Sequence, residues 1–441
     1  MPGRTVIQWD KEDCAEMGLI KVNLLELGMM AALPQDDKVY ETLRRADTVG
    51  MFQVESRAQM ASIPLNGPMR FFDLVVQVAI VRPGPIAGKM MQPYLRRRLG
   101  RESVTYLHPL LEPVLKRTLG VPLFQEQLLR MSMVVADFTG AEADELRRAV
   151  GMRRSMERMK NLEGRLRAGM TNNGVSAEAQ DSIVQSISSF ALYGFPESHA
   201  ASFALIAYAS AYLKVHYLGA FTCALLNNQP MGFYSPAVLV KDAQRHGLRV
   251  RPMDVQRSEV VCTLEAEDDG SLSLRIGLNY ARGLRREARH AIVMERTLHG
   301  LFASVDELAR RVPELHRHEL VLLAQIGALN QLSQVDHRRD ALWQVEKAGR
   351  PTGPLLADID DEKTASPLAT MTTDERLAAD FSGVGLTTGP HPMAYAREEL
   401  RSQGIVAATD LIGMRQGVCI DVAGCVIARI APSKAILFMW A

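Results

Sequence analysis

Cysteine is sparse in this 441-residue chain and poorly placed for covalent or metal chemistry. The five, Cys14, Cys223, Cys262, Cys419 and Cys425, form no CxxC pair. An odd, scattered set argues against a disulfide framework or a zinc site and predicts a reducing, cytoplasmic setting. An excess of one charge is also lacking. Formal net charge is +1, so any nucleic-acid surface must come from local patches. No apolar run is long enough to cross a bilayer. The longest, residues 200–213, includes serine and tyrosine and predicts a buried helix. The start, Met1-Pro2-Gly3-Arg4-Thr5, has no apolar core behind a basic segment, so no signal peptide is expected. Repeats and low-complexity tracts are missing too. What remains is 47% hydrophobic and 23% charged, an ordinary globular composition, at a length that predicts roughly two to four domains.

Along the chain, Val6-Ile7-Gln8-Trp9 and Leu19-Ile20-Lys21-Val22-Asn23-Leu24 read as short strands, the second alternating as a half-buried strand does. Gly28-Met29-Met30-Ala31-Ala32-Leu33 starts a helix that runs into Pro34. Residues 38–230 are mostly helical, with a helix over 36–43. Thr139-Gly140-Ala141-Glu142 is a capping box opening helical periodicity that extends to Met170 and breaks near Gly151. Residues 263–276 predict a β-hairpin around Asp268-Asp269-Gly270-Ser271, and Ser304-Val305-Asp306-Glu307 is a second capping box. Residues 346–380, with Gly349, Pro351, Gly353 and Pro354, read as a linker. A helix is expected over 392–403 and a strand over 419–427. A single strand cannot bury its own face, so the end reads as the start of an incomplete β domain.

Four stretches stand out: Gly50-Met51-Phe52-Gln53-Val54-Glu55-Ser56, Arg82-Pro83-Gly84-Pro85, Gly120-Val121-Pro122-Leu123-Phe124-Gln125-Glu126-Gln127, and Gly194-Phe195-Pro196-Glu197-Ser198-His199. Their order and spacing resemble the fingers of bacterial C-family DNA polymerases, the polymerase III alpha subunits. Pro196-Glu197 and Gly424-Cys425-Val426-Ile427-Ala428-Arg429 point to the error-prone, damage-tolerant branch. The resemblance covers most of residues 4–430. It implies a mainly α protein: a palm β remnant (1–33), helical fingers (34–235), a tandem helix-hairpin-helix region (236–345), a linker and helix (346–415), and a truncated OB-fold strand (416–441). The tail 432–441 departs from the family, and the segment after Leu33 is shorter than the family's.

The resemblance also implies roles. Arg82, held by a rigid Pro-Gly-Pro turn, would contact the triphosphate of an incoming nucleotide. His199 would lie near the same phosphates, with Ser198 as cap of the helix it opens. A salt-bridged surface arginine and a packed histidine are the plainer alternatives. Lys21 shares a strand face with position 23, and in the family it sits beside phosphates and metal. Position 23 is where the family places the third aspartate of a two-Mg²⁺ site, and here it is Asn23. An amide is neutral and offers one oxygen, a poor ligand for a hard cation. The family's other two aspartates belong to a palm segment that would precede Met1.

Arg147, Arg148, Arg153 and Arg154 head a basic run over 147–167 that suits a nucleic-acid backbone, or is simply a solvated helix face. Arg282-Gly283-Leu284, with Arg285, Arg286 and Arg289 after it, and Ile326-Gly327-Ala328-Leu329 resemble the paired hairpins. There glycine permits the turn and the next helix offers N–H groups to DNA phosphate, without base readout. Asp358-Ile359-Asp360-Asp361 has D-x-D spacing but stands in the linker, with no rigid element to hold a metal geometry. The expectation is part of an error-prone DNA-directed DNA polymerase, which transfers nucleotides from dNTP to a primer 3′ end in repair. Its partners would be primer-template DNA and dNTP. Mg²⁺ is the intact family's cofactor, and none is expected on this chain, which would be catalytically incompetent alone. A non-catalytic DNA- or partner-binding module, or an inactive remnant, is the alternative.

Overall fold

The computed structural model describes residues 36–81, 85–151, 156–191, 195–333, 335–348, 366–430 and 437–440. The two N-terminal strands, Lys21, Asn23, Arg82, Arg153, Arg154 and residues 358–361 lie outside them. The described chain is mainly helical and forms two compact units, one up to Tyr212 and one from Leu213. No helix among the described residues is long and apolar enough to cross a membrane.

The first unit starts with α1 (Asp37–Arg44), capped by the Asp36 carboxylate, and α2 (Arg57–Asn66), capped by Ser56 and closed by Gly67 at φ 56°. Both caps satisfy N–H groups that a helix start leaves without partners. α3 (Phe71–Ile80) is buried from Asp73 to Ile80. Its polar positions are matched against α2: Gln77 Nε2 donates to Gln59 Oε1 at 2.6 Å and to Ser62 Oγ at 2.7 Å. α4 (Pro85–Arg98) anchors its end through Arg98, whose guanidinium meets the buried Asp73 carboxylate at 3.0 Å.

Next come α5 (Glu112–Leu115), α6 (Gln125–Ala136), α7 (Gly140–Gly151), α8 (Met156–Asn172) and α9 (Ala177–Ala191) around one apolar core, which includes Leu128, Met131, Leu146, Leu162, Leu166 and Ile183. At Gly169 the helices approach closely; a Cβ there would sit 2.4 Å from the Ala136 carbonyl oxygen. The capping box at 139–142 forms as expected: Thr139 N–H donates to Glu142 at 2.8 Å and Glu142 N–H to Thr139 Oγ1 at 3.3 Å. α10 (Glu197–His216) buries Ala200, Ala204, Ala207, Tyr208 and Ala211.

The second unit holds α11 (Leu218–Asn227), α12 (Pro236–Arg245) and a three-stranded sheet ordered β1 (Arg249–Arg251), β3 (Leu272–Arg275), β2 (Thr263–Ala266). β2 and β3 are the expected antiparallel hairpin, in register Leu264↔Leu274. Gly270, at φ 78°, supplies the left-handed turn residue. β1 pairs parallel to β3; three residues were too few to show a strand period. α13 (Arg286–His299), α14 (Val305–Arg311), α15 (Arg317–Gln325) and α16 (Arg338–Ala348) follow. Ser304 caps α14 by accepting from Glu307 N–H, but Glu307 reaches back to Ala303 N–H rather than to Ser304.

Two local expectations change. The stretch read as linker contains α17 (Thr373–Gly383), started by a Thr372–Glu375 capping box and packed against α15. The strand expected over 419–427 forms later, as β4 (Val426–Ile430), and does not stand alone: β5 (Leu437–Trp440) pairs with it antiparallel. The partner satisfies a ladder that the first strand cannot satisfy by itself. Between α17 and this ribbon lies α18 (Pro392–Ser402), as expected.

Candidate nucleic-acid interface

In the first unit, three of the four sequence motifs converge on the start of α10. The Phe195 and His199 rings lie 5.0 Å apart, His199 and Phe203 4.2 Å, and Phe203 and Phe52 5.5 Å edge to face. His199 and Phe203 share one side of the helix because they are four residues apart, and Phe195 stands just before its start. Phe52 comes from the Gly50–Ser56 motif, and its N–H donates to Ser210 Oγ at 3.1 Å. The motif's bend is tight: Gln53 has φ 63°, Gly50 has φ 76°, and Gly50 N–H donates to the buried Glu55 at 3.0 Å.

The Val121–Gln127 motif joins through Glu126. Its carboxylate accepts the Glu197 N–H at 2.8 Å, and Phe195 C=O accepts the Gln125 N–H at 3.2 Å. A carboxylate at the first free N–H of a helix suits the helix dipole. Arg117 completes the arrangement: it lies 3.9 Å over the Phe72 ring and donates to Glu197 at 3.2 Å.

Ser198 is therefore not the cap. The helix starts at Glu197, Pro196 C=O accepts the Ala200 N–H, and the Ser198 carbonyl accepts the Ser202 hydroxyl at 2.9 Å. Proline before Glu197 ends the extended entry one residue earlier than the sequence suggested. Glu126, Arg117 and the aromatic row escaped sequence reasoning. Their only local sign was that Glu126, Phe52, Phe195 and His199 already stood inside recognised motifs.

The basic run over 147–167 is divided between α7 and α8, and much of its charge is internally matched. Arg147 meets Asp144 at 2.8 Å, Arg148 Nε bonds Asp144 at 2.8 Å, Arg165 pairs with Glu142, and Arg167 meets Asp181 at 2.7 Å and Glu163 at 2.9 Å. Asp144 also lies within helix-pair spacing of both arginines. These exposed pairs are worth little stability and exchange readily for phosphate, and the single Asp144 carboxylate balances only one of the two charges of Arg147 and Arg148.

In the second unit, Gly283 has φ 96° and Gly327 φ 80°, conformations that side-chain-bearing residues rarely adopt. Both hairpin turns thus need their glycine. The first leads directly into α13, whose start has no side-chain cap. The side chain of its N-cap residue, Arg285, therefore takes none of the opening N–H groups, and Arg286 is exposed. Arg285 is committed elsewhere: its backbone N–H and guanidinium both donate to the buried Glu319, at 2.8 Å each. Burial alone would raise the Glu319 pKa, but the bonds from Arg285 and the His316 N–H outweigh it and hold the carboxyl at about 2. His316, His318 and Glu319 bring metal-type ligands together, yet both Glu319 oxygens already accept hydrogen bonds.

The second hairpin differs from expectation. Among the described residues no helix begins after Gly327 until Arg338, and the Arg338 guanidinium lies against Gly327 while pairing with Asp380 at 2.7 Å. α17 also joins the first hairpin, where Arg282 N–H donates to Gly383 C=O at 2.7 Å. Both glycine turns are thus buttressed by a helix from the stretch that read as linker.

Residues 5–174 match the bacterial DNA polymerase III alpha subunit finger domain, and residues 247–341 match a helix-hairpin-helix motif. The chain is 45% identical, over 99% of its length, to a protein of Alkalilimnicola ehrlichii named error-prone DNA polymerase. Proteins of the same name from Anaeromyxobacter sp. strain K and Pseudomonas syringae pv. syringae are 46% and 45% identical, again over 99% of this chain. The chain spans less than half the length of these relatives, 41–44%.

Proposed function

Because this chain belongs to the bacterial C-family DNA polymerases, alongside proteins of the error-prone branch, we propose that it forms the nucleotide- and DNA-contacting part of such an enzyme. The reaction of the whole would be nucleotidyl transfer from a dNTP to a primer 3′ end during repair. The observation that carries this reading is the convergence of three separated motifs on the start of α10. His199 stands there at a helix N-terminus, where N–H groups and dipole favour phosphate. Glu126 already takes the Glu197 N–H, so incoming phosphate meets the His199 side, with Arg82 and Ser198 as further contacts. In the second unit the uncapped start of α13, Gly283 and Arg286 would hold a DNA backbone phosphate without reading bases. Gly327 contributes by shape, and Arg285 by positioning.

Mg²⁺ supplies, in the family, charge neutralisation and activation of the attacking hydroxyl. The donor set of this chain does not fit it: Asn23 presents a neutral amide where an anionic oxygen is needed. No step of transfer is therefore assigned to these residues. Lys21 and His199 bind and orient phosphate, and the chain alone does not extend a primer. A non-catalytic DNA-binding module is the second reading, favoured by Asn23 together with the intact α13 start. The test is binding of a fluorescent dNTP and of primer-template DNA by the purified chain, with His199→Ala and Arg82→Gln beside it, and DNA affinity measured against salt. Nucleotide binding weakened by both changes, with DNA affinity falling steeply with salt, supports the proposal. Nucleotide affinity indifferent to both would sink it, and DNA binding alone would leave the second reading.

A further inference from the structure

Resting on that reading, we infer that Arg57 is a phosphate-binding residue of the fingers, acting beside the motif that carries Phe52. Arg57 is the first residue of α2 and is partly buried. Its Nη2 is shielded from solvent and has no hydrogen-bond partner. A guanidinium nitrogen withdrawn from water normally finds a carboxylate or carbonyl. The acid two residues before it is committed elsewhere. Glu55 accepts from Gly50 N–H at 3.0 Å.

The position follows from the pairing of α2 with α3. Asn66 bonds the Asp73 carbonyl at 3.0 Å, Ser62 meets Gln77 at 2.7 Å, and Gln59 meets Gln77 at 2.6 Å. The helices run antiparallel, so Arg57 stands level with the end of α3, where Ile80 and Val81 lead the chain out of the core. Residues 50–56 tie the same end to α10 through Phe52 and Phe203. A guanidinium whose Nη2 has no hydrogen-bond partner, held at the meeting of these segments, is complementary to an anionic phosphate group. That phosphate comes from either a nucleoside triphosphate or a DNA backbone.

The experiment measures binding of mant-dATP with Mg²⁺, and of a fluorescein-labelled single-stranded 20-mer, to the wild-type chain, Arg57→Gln and Arg57→Lys. Losing a charge-assisted bond should weaken one probe roughly 10- to 100-fold in Arg57→Gln. Arg57→Lys should recover part of it. The melting temperature of Arg57→Gln should stay level or rise, since a guanidinium with an unpartnered Nη2 is removed. Weakened mant-dATP with unchanged DNA assigns the nucleotide phosphates; the converse assigns the DNA backbone. Wild type binding either probe with Arg57→Gln unaffected overturns this inference and leaves the proposed function standing. A large fall in melting temperature with unchanged affinity also overturns it, making Arg57 structural. Wild type binding neither probe removes the proposed function and this inference with it.

Discussion

Glu319→Gln should be the most destabilising single-charge change in the second unit. The carboxylate is fully buried and accepts the Arg285 N–H and guanidinium and the His316 N–H. Its pKa falls from an ordinary 4.5 to about 2, which corresponds to about 3 kcal/mol favouring the folded, ionised state. The partner Arg285 is 38% exposed, so solvent screening trims this to roughly 2–3 kcal/mol. The amide retains one accepting oxygen and loses the charge. Because the folded pKa is depressed, the contribution is complete above pH 4.5 and is lost as pH falls through about 2. The gap between wild type and Glu319→Gln should be wide at pH 7, narrow below about pH 4.5 and close near pH 2. Urea unfolding followed by Trp343 fluorescence reads it, since Trp343 lies on α16, which packs against α15; Trp9 and Trp440 are changed to Phe in the background. A difference under about 1 kcal/mol at pH 7, or one independent of pH, would refute the assignment of Glu319 as the ion that holds the first hairpin.

Other outcomes follow from single observations. Lys241 is buried against Gly389 C=O, and desolvation lowers its pKa to about 8. The unfolded lysine holds its proton to about 10.5, so between these values the unfolded state binds more protons and stability rises with pH. Lys241→Met should lose that rise in urea titrations from pH 7.5 to 10. Gly169→Ala should cost about 1–3 kcal/mol in thermal unfolding, because its Cβ would meet the Ala136 backbone at 2.4 Å. A cost near zero would mean α6 and α8 separate freely. Gly283→Ala, at φ 96°, should cost about 1–2 kcal/mol and weaken DNA binding; unchanged DNA affinity would remove the first hairpin from the interface. Neither the wild-type chain nor Asn23→Asp should extend a primer with Mg²⁺, and extension by the wild type would show that other carboxylates hold the metal.

The local elements were legible from sequence because their causes are local. The Thr139–Glu142 box, the β2–β3 hairpin around Gly270 and the α18 boundaries each depend on residues a few positions apart. The family was legible because four motifs keep their order and spacing. The linker reading missed α17 because Pro and Gly around 349–354 marked a break but said nothing of this helix, whose place depends on Ile326 and Arg282. Counting arginines overstated the basic run, because matching acids such as Asp181 arrive from another helix.

By itself, then, the sequence determined the polymerase family, the helical class, the need for glycine at 283 and 327, and the amide at position 23, since each is a matter of residue type and short spacing. Only the tertiary structure decided which charges are free. Glu126 with Glu197, Arg285 with Glu319 and Arg338 with Asp380 are 71, 34 and 42 residues apart. Pairing across such distances is set by how helices pack, and no local pattern encodes it; the same packing leaves Arg57 Nη2 without a hydrogen-bond partner.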